Sequence, residues 1–114
     1  MSLSRFKLVF FSPHNSTRSI LDHLFKKFPQ ELGKIGQYEQ CAFITRGTGQ
    51  FKPVLGANPT IGSVGELEHV EEDRVELVID DKGNNEEVKN AIQELKNVHP
   101  YEEVAYDVYR LENF

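Results

Sequence analysis

The chain has 114 residues, of which 39% are hydrophobic and 27% charged, a composition typical of one globular domain, 1–114, that needs no disulfide. The net charge of −5 argues against nucleic acid as the main partner, because phosphate binding needs a basic face. The longest apolar run is strand-sized, so we expect no membrane span. A single cysteine and an N-terminus without a secretory pattern predict a cytoplasmic location; residues 1–3 are set aside as a tag remnant.

The first half of the chain predicts a strand, a helix and a second strand. Residues 5–12 are apolar on both faces, which is typical of a central strand. Ser12 and Pro13 suit the start of a helix, whose apolar stripe over residues 20–28 has the 3.6-residue period. Residues 39–46 are rich in strand-forming side chains and predict the second strand, with the single cysteine as a small buried hydrophobe.

Residues 47–70 predict an unusually long loop, which holds five of the eight glycines. Loops of this length are uncommon in compact domains and are often functional. Short apolar islands, including Phe51, Val54 and Ile61, predict that the loop packs onto the domain.

The second half repeats the pattern of strand, helix and strand. Residues 71–79 alternate as a strand, Asn84 or Asn85 is the expected cap of a helix with its stripe at 88–98, and residues 104–111 form the last strand. The order predicts an α+β, ferredoxin-like βαββαβ sandwich: a four-stranded antiparallel sheet with two helices on one face.

The sheet face without helices is the predicted interface of a homo-oligomer. It carries apolar side chains such as Val9 and Phe11, and an uncovered apolar face usually marks an interface. Residues 1–57 carry 8 Lys/Arg against 3 Asp/Glu, whereas residues 58–114 carry 5 against 15. This asymmetry indicates either a solvated acidic face or opposite patches that meet between subunits.

The glycine-rich loop and the HPYEE turn supply the candidate ligand-binding residues. Backbone N–H groups of glycine-rich loops can hold anions, although the loop matches neither the P-loop nor the dinucleotide fingerprint. The alternative is that these glycines only permit tight turns. The candidate set is Arg46, Gly47, Gly49, Lys52, Gly62, Tyr101 and Glu102.

A divalent metal site is the second hypothesis, with His99, Glu102 and Glu103 as its ligands. The alternative is structural, since His99 and Pro100 end a helix and the two glutamates stand in a turn. Cys41 has no neighbouring feature that would activate it, and the chain lacks the patterns of serine hydrolases. No reaction is therefore predicted.

Two long stretches, 35–76 and 99–114, together with the opening KLVFFSP, resemble the YqfO family of NGG-interacting-factor-three-like proteins. In the long members of that family, a domain similar to the trimeric PII and CutA folds is inserted in a larger dimetal-binding body. The label of type 2 GTP cyclohydrolase homolog belongs to that body, whose metal ligands lie outside the insert. The resemblance implies the fold, a trimer and a ligand-sensing role.

Three functions are left open by the sequence. The first is a small oligomeric binding or regulatory domain, in which the glycine-rich loop meets the HPYEE turn across a subunit interface. The second is a CutA-like protein that binds a divalent metal. The third is a structural module that acts through a protein partner.

Overall fold

The computed structural model describes residues 3–114, so Met1 and Ser2 of the predicted tag remnant lie outside it. No helix in residues 3–114 combines the length and the apolar character needed to cross a membrane. The elements are β1 (Ser4–Pro13), a short 3₁₀ turn (His14–Ser16), α1 (Thr17–Lys27), β2 (Phe43–Phe51), β3 (Glu68–Asp81), α2 (Glu86–Val98) and β4 (Tyr106–Leu111).

The four strands form one antiparallel sheet in the order β2-β3-β1-β4. Both helices pack on the same face, where alternate residues of the central strands meet the apolar stripes of α1 and α2. Leu8, Phe10, Ile20, Leu24 and Leu95 are completely buried in this layer. The predicted α+β, ferredoxin-like arrangement is confirmed.

The second strand, predicted over 39–46, begins only at Phe43. Before it, the N–H of Cys41 donates to the carbonyl of Gly33 at 2.8 Å. Gly33 and Gln40 both have positive φ angles, of 70° and 60°, so the chain bends here instead of extending. Cys41 therefore lies half-buried ahead of β2 rather than inside a strand.

The same strand also ends later than predicted, because its glycines pair with β3. Gly47 lies opposite Glu72 and Gly49 opposite Val70. The predicted loop 47–70 therefore shrinks to the segment 52–67, which we call the hairpin loop.

The start of α1 differs from the prediction that Ser12 caps a helix. Ser12 and Pro13 remain in β1, and the 3₁₀ turn intervenes before α1. The buried hydroxyl of Ser12 instead donates to the hydroxyl of Thr17 at 2.6 Å, because Thr17 donates its own proton to Asp73. Ser16, at the N-cap, makes no side-chain capping bond.

The cap of α2 is only partly the predicted one. The side chain of Asn84 accepts the N–H of Glu86 at 3.1 Å. Asn85 makes no side-chain capping bond and has a φ of 66°. Its left-handed conformation is one that asparagine tolerates better than most residues.

Asp81, at the end of β3, provides the main cap of α2. Its fully buried carboxylate accepts the N–H groups of Gly83, Asn85 and Val88 at 2.8, 2.9 and 3.1 Å. Burial alone would raise the pKa of Asp81, but these hydrogen bonds outweigh it and hold the pKa below 3.8. This role could not be predicted from the sequence, because Asp81 stands in the stretch DDKG, which is typical of a turn.

The two oppositely charged halves of the chain meet within one chain. Arg5 lies 3.8 Å from Asp80, and Arg46 lies 3.8 Å from the carboxylate of Asp73. Because β3 pairs with both β1 and β2, the acidic half is placed directly beside the basic half. Part of the charge asymmetry is therefore balanced inside the fold.

The second sheet face, away from the helices, is only partly apolar and exposed. Val9 is buried and Phe11 half-buried. Phe43 and Tyr109 are 68% and 53% exposed on this face, where they lie opposite Glu76 and Lys7 in the strand register.

Candidate functional site

A cavity of about 380 Å³ lies between the hairpin loop, the turn at residues 99–105 and one end of the second sheet face. We call it the cleft. Its walls are mainly apolar, and its volume falls within the range of small-molecule sites. The apolar wall includes Phe11, Phe51, Val54, Pro59, Ile61 and Ala105.

Two hydrogen bonds fasten the hairpin loop onto the turn that ends α2. The N–H of Asn58 donates to the carboxylate of Glu102 at 2.8 Å, and the hydroxyl of Thr60 donates to the carbonyl of Pro100 at 2.8 Å. The loop and the HPYEE turn therefore meet inside one chain. The cleft forms without the predicted contact between these two segments across a subunit interface.

His99 connects the end of α2 to β1 and to the turn. Its ring is 6% exposed. Its Nε2–H donates to the carbonyl of Phe11 at 2.7 Å, and its Nδ1 accepts the N–H of Tyr101 at 3.0 Å. These bonds require the neutral ring, and burial lowers the pKa of His99 below 6.5.

Tyr101 forms one side of the cleft. Its hydroxyl donates to Oε2 of Glu72 at 3.0 Å, and its ring centroid lies 6.2 Å from that of Phe51. Burial, reinforced by the bond to Glu72, raises the pKa of Tyr101 well above its ordinary value. The phenol therefore remains a hydrogen-bond donor over the physiological range.

Gly49 is required by close packing rather than by a turn. A Cβ at this position would lie 1.8 Å from Oε1 of Glu72. The absence of a side chain lets the Glu72 carboxylate lie flat across β2 and reach Tyr101. Gly49 thus affects the cleft through the position of Glu72, although Gly49 itself does not line the cavity.

The structure divides the predicted ligand-binding set. Lys52, Tyr101 and Glu102 line the cleft, and so does Glu103 from the predicted metal set. Gly47 lies in β2 and Gly62 in a turn of the hairpin loop beside Glu68; neither glycine lines the cavity.

Arg46 is directed to the opposite side of the sheet. It contacts the ring of His14 and lies 3.8 Å from both Glu71 and Asp73. Arg46 therefore lies on the opposite side of the sheet from Lys52, and the structure does not bring these two members of the predicted set together.

The metal hypothesis meets a specific obstacle at His99. Both of its ring nitrogens are bonded to the backbone, and Glu102 accepts a backbone N–H. Among residues 3–114, no group of three His, Cys, Asp or Glu side chains is placed to hold a metal ion. Metal binding by His99, Glu102 and Glu103 stays a prediction, and it requires His99 to release one of its two bonds.

A buried polar cluster at the N-terminal end of α1 was missed by the sequence analysis. Asp73 is 2% exposed and accepts the hydroxyl of Thr17 at 2.6 Å and Nδ1–H of His14 at 3.0 Å. Burial opposes its ionisation, but these bonds and nearby Arg46 hold its pKa below 3.8. The available signal was the strand period, which places Asp73 on the same face as the buried Val75.

Known structures share the overall fold of this chain at low sequence identity. The divalent ion tolerance protein CutA1 from Ehrlichia chaffeensis matches 100% of this chain and 87% of its own, with a TM-score of 0.66 and 18% identity. The match to a Bacillus subtilis GlnK–ATP complex covers 97% of this chain and 84% of the GlnK chain, with a TM-score of 0.53 and 16% identity. The fold is therefore that of a small α+β domain of the CutA and PII type.

The sequence relatives are longer proteins. Two curated proteins named GTP cyclohydrolase 1 type 2 homolog match: one from Halalkalibacterium halodurans is 43% identical over 110 residues, covering 96% of this chain and 28% of the relative. The one from Bacillus subtilis is 54% identical over 80 residues, which cover 70% of this chain and 20% of the relative. A Bacillus cereus protein related to NIF3 has a TM-score of 0.78 and 35% identity over 99% of this chain and 27% of its own.

The predicted resemblance to the YqfO family is confirmed, because the chain is homologous to one segment of these NIF3-related proteins. It spans about a quarter of the length of the curated relatives. No family model matches the chain.

Proposed function

We propose that this chain is a small oligomeric binding or regulatory domain, located in the cytoplasm, whose ligand enters the cleft. The observation that carries the proposal is the cavity of about 380 Å³ between the hairpin loop and the HPYEE turn. The activity named for the longer relatives is not part of the proposal, since about three quarters of those proteins lie outside this match.

The cleft is suited to binding because its walls are held in place before a ligand arrives. The hairpin loop is bonded to Glu102 and Pro100, and the N–H of Gly65 donates to the carbonyl of Pro53 at 2.8 Å within the loop. A site that is already ordered avoids the entropic cost of ordering loops on binding.

Filling the cleft is expected to abolish ligand binding without unfolding the domain. Ala105 lines the cleft and is exposed, so Ala105→Phe places a ring in the cavity without disturbing the core. A fragment library screened by ¹⁵N–¹H NMR should shift amides of residues 50–61 and 101–105 in the native chain and in Ala42→Phe. Ala42 is equally exposed and does not line the cavity. Fragments that bind Ala105→Phe with native affinity, or a library without any hits, would refute the proposed site.

The homo-oligomer belongs to the same proposal, and the resemblance implies a trimer. Phe43 and Ile44, at 68% and 48% exposed, lie on β2, which is an edge strand of the sheet. Exposed apolar side chains on an unpaired edge favour association with another chain. The second sheet face around Phe43 and Tyr109 is the surface that we expect to be covered.

Light scattering at micromolar concentration is expected to give the mass of a trimer, and Phe43→Arg to give a smaller species. Arginine is chosen because Glu76 lies opposite Phe43 in the register, so the new charge does not disturb the monomer. Leu55→Arg is the matched control, since Leu55 is 95% exposed in the hairpin loop. A native chain that elutes as a monomer would contradict the proposal.

A further inference from the structure

The cleft carries negative charge that this chain does not neutralise. Three carboxylates line it, those of Glu72, Glu102 and Glu103, together with a single cation, Lys52. None of these four groups forms an ion pair with any part of the chain from residue 3 to residue 114. The lining therefore has two more negative than positive charges.

The hydrogen bonds that the carboxylates do make come from neutral donors. Glu72 accepts the hydroxyl of Tyr101, and Glu102 accepts the N–H of Asn58. Such bonds orient a carboxylate but leave its charge in place. Oε2 of Glu72 and Oε1 of Glu102 are thus held in fixed positions at the cleft and remain acceptors for a cation.

The rest of the wall is apolar and aromatic. The rings of Phe11, Phe51 and Tyr101 all line the cavity. Aromatic faces attract cations, and binding of organic ammonium groups by aromatic side chains is the best-known use of this interaction. An anion would meet only Lys52, because Arg46 lies on the other sheet face beside Asp73.

We infer that the cleft binds an organic ammonium cation on an apolar stem, either a free alkylamine or the side chain of a lysine in another protein. This inference rests on the proposed function of the cleft. The stem contacts the apolar wall formed by residues such as Val54 and Ile61, and the ammonium group lies among Glu72, Glu102 and Glu103. The three carboxylates accept charge-assisted hydrogen bonds from its N–H groups.

Three probes of equal length and different charge test this inference: hexylammonium, 1-hexanol and hexanoate, titrated at neutral pH into the full chain and followed by ¹⁵N–¹H NMR. We expect hexylammonium to bind at least tenfold more tightly than hexanoate and to shift amides of residues 50–61 and 101–105. Preferred binding of hexanol or hexanoate overturns the inference but keeps the cleft as a binding site. Absence of binding by all three overturns the inference, while the fragment screen decides separately on the proposed function.

A pair of charge-neutralising variants separates local from long-range electrostatics. Glu103→Gln is expected to weaken hexylammonium binding about fivefold and to leave hexanol binding unchanged, because Glu103 is exposed at the cleft and forms no ion pair within residues 3–114. Glu66→Gln is the control, since Glu66 lies in the hairpin loop outside the cavity and changes the net charge equally. Equal losses in both variants overturn the inference.

Nα-acetyl-lysine N-methylamide distinguishes the two sources of the ammonium group. If it binds at least as tightly as hexylammonium, the cleft accepts a lysine side chain presented by a protein. If only hexylammonium binds, the ligand is a free amine. Both outcomes support the inference, and failure of both compounds overturns it.

Discussion

Asp81→Ala is expected to lower the free energy of unfolding by about 3 kcal/mol, because it leaves several buried N–H groups without an acceptor. The Asp81 carboxylate is fully buried and accepts N–H groups of Gly83, Asn85 and Val88. Each buried donor that loses its partner costs roughly 1–3 kcal/mol, and water that enters the gap recovers part of that cost.

The effect should extend beyond the helix cap to the cleft. Asp81 connects β3 to the first turn of α2, and α2 ends at the residue before His99. A displaced α2 would therefore shift the turn that forms one wall of the cleft. We expect Asp81→Ala to weaken ligand binding as well as stability, although Asp81 does not line the cavity.

Urea unfolding followed by circular dichroism measures this change, with Asn85→Gly as the matched control. Asn85 makes no capping bond and has a φ of 66°, a conformation that glycine adopts freely, so we expect the control to change stability by less than about 0.5 kcal/mol. If Asp81→Ala stays within that margin as well, the capping role is refuted.

The acid stability of the native chain and of Asp81→Asn provides an independent check. The pKa of Asp81 in the folded state lies below 3.8, so its ionised form stabilises the fold above that pH. The contribution is lost as pH falls through the folded pKa. Asp73 titrates in the same range, and only the difference between the two chains isolates Asp81.

The second large effect is expected at His99, whose replacement by alanine should cost about 2 kcal/mol of unfolding free energy. The change leaves the Phe11 carbonyl and the Tyr101 N–H without their partner. It also removes one bond between β1 and the turn at 99–105, while the N–H of Phe11 still donates to the carbonyl of Ala105 at 3.1 Å. His99→Gln, which keeps a donor for Phe11, should recover part of the loss.

His99 should also make the domain less stable in mild acid. Burial lowers the pKa of His99 below its unfolded value of 6.5, so the folded state binds fewer protons than the unfolded state at pH values between the two. Stability is therefore highest above about pH 6.5 and declines as pH falls towards the folded pKa. The pKa values of Asp73 and Asp81 lie below 3.8, outside this window.

Chemical unfolding of the native chain and of His99→Gln between pH 8 and pH 5 isolates this contribution. The other three histidines, His14, His23 and His69, are present in both chains and therefore form a common background. We expect a steeper decline for the native chain. Parallel curves would show that His99 is not held neutral by the fold.

Much of the architecture could be predicted from local patterns. The periods of 2 and 3.6 residues place the side chains of β1, α1, β3 and α2 on their correct faces, because these patterns record which side of each element is buried. The strand ends were less predictable. Residues before Phe43 have strand-like composition, but the bond from Cys41 to Gly33 holds them outside the sheet.

The sequence predicted which two segments border the candidate site, but not which residues of the predicted set line it. Lys52, Tyr101 and Glu102 line the cleft as part of the two segments that the sequence singled out. Arg46 was included because it precedes the glycine-rich stretch. In the strand register, however, it lies opposite Asp73 on the helix-covered face, and a single-residue step along a strand reverses the direction of a side chain.

The sequence by itself thus determined the α+β order of elements, the apolar faces that drive them together and the two segments that border the cleft. Only the tertiary structure decided that Asp81 caps α2, that Asn58 bonds to Glu102 and that both nitrogens of His99 are occupied. Local patterns reflect burial and backbone preference over a few residues. The bonds of Glu102 and His99 join groups 44 and 88 positions apart, and even the nearby partners of Asp81 are set by the path of the folded chain.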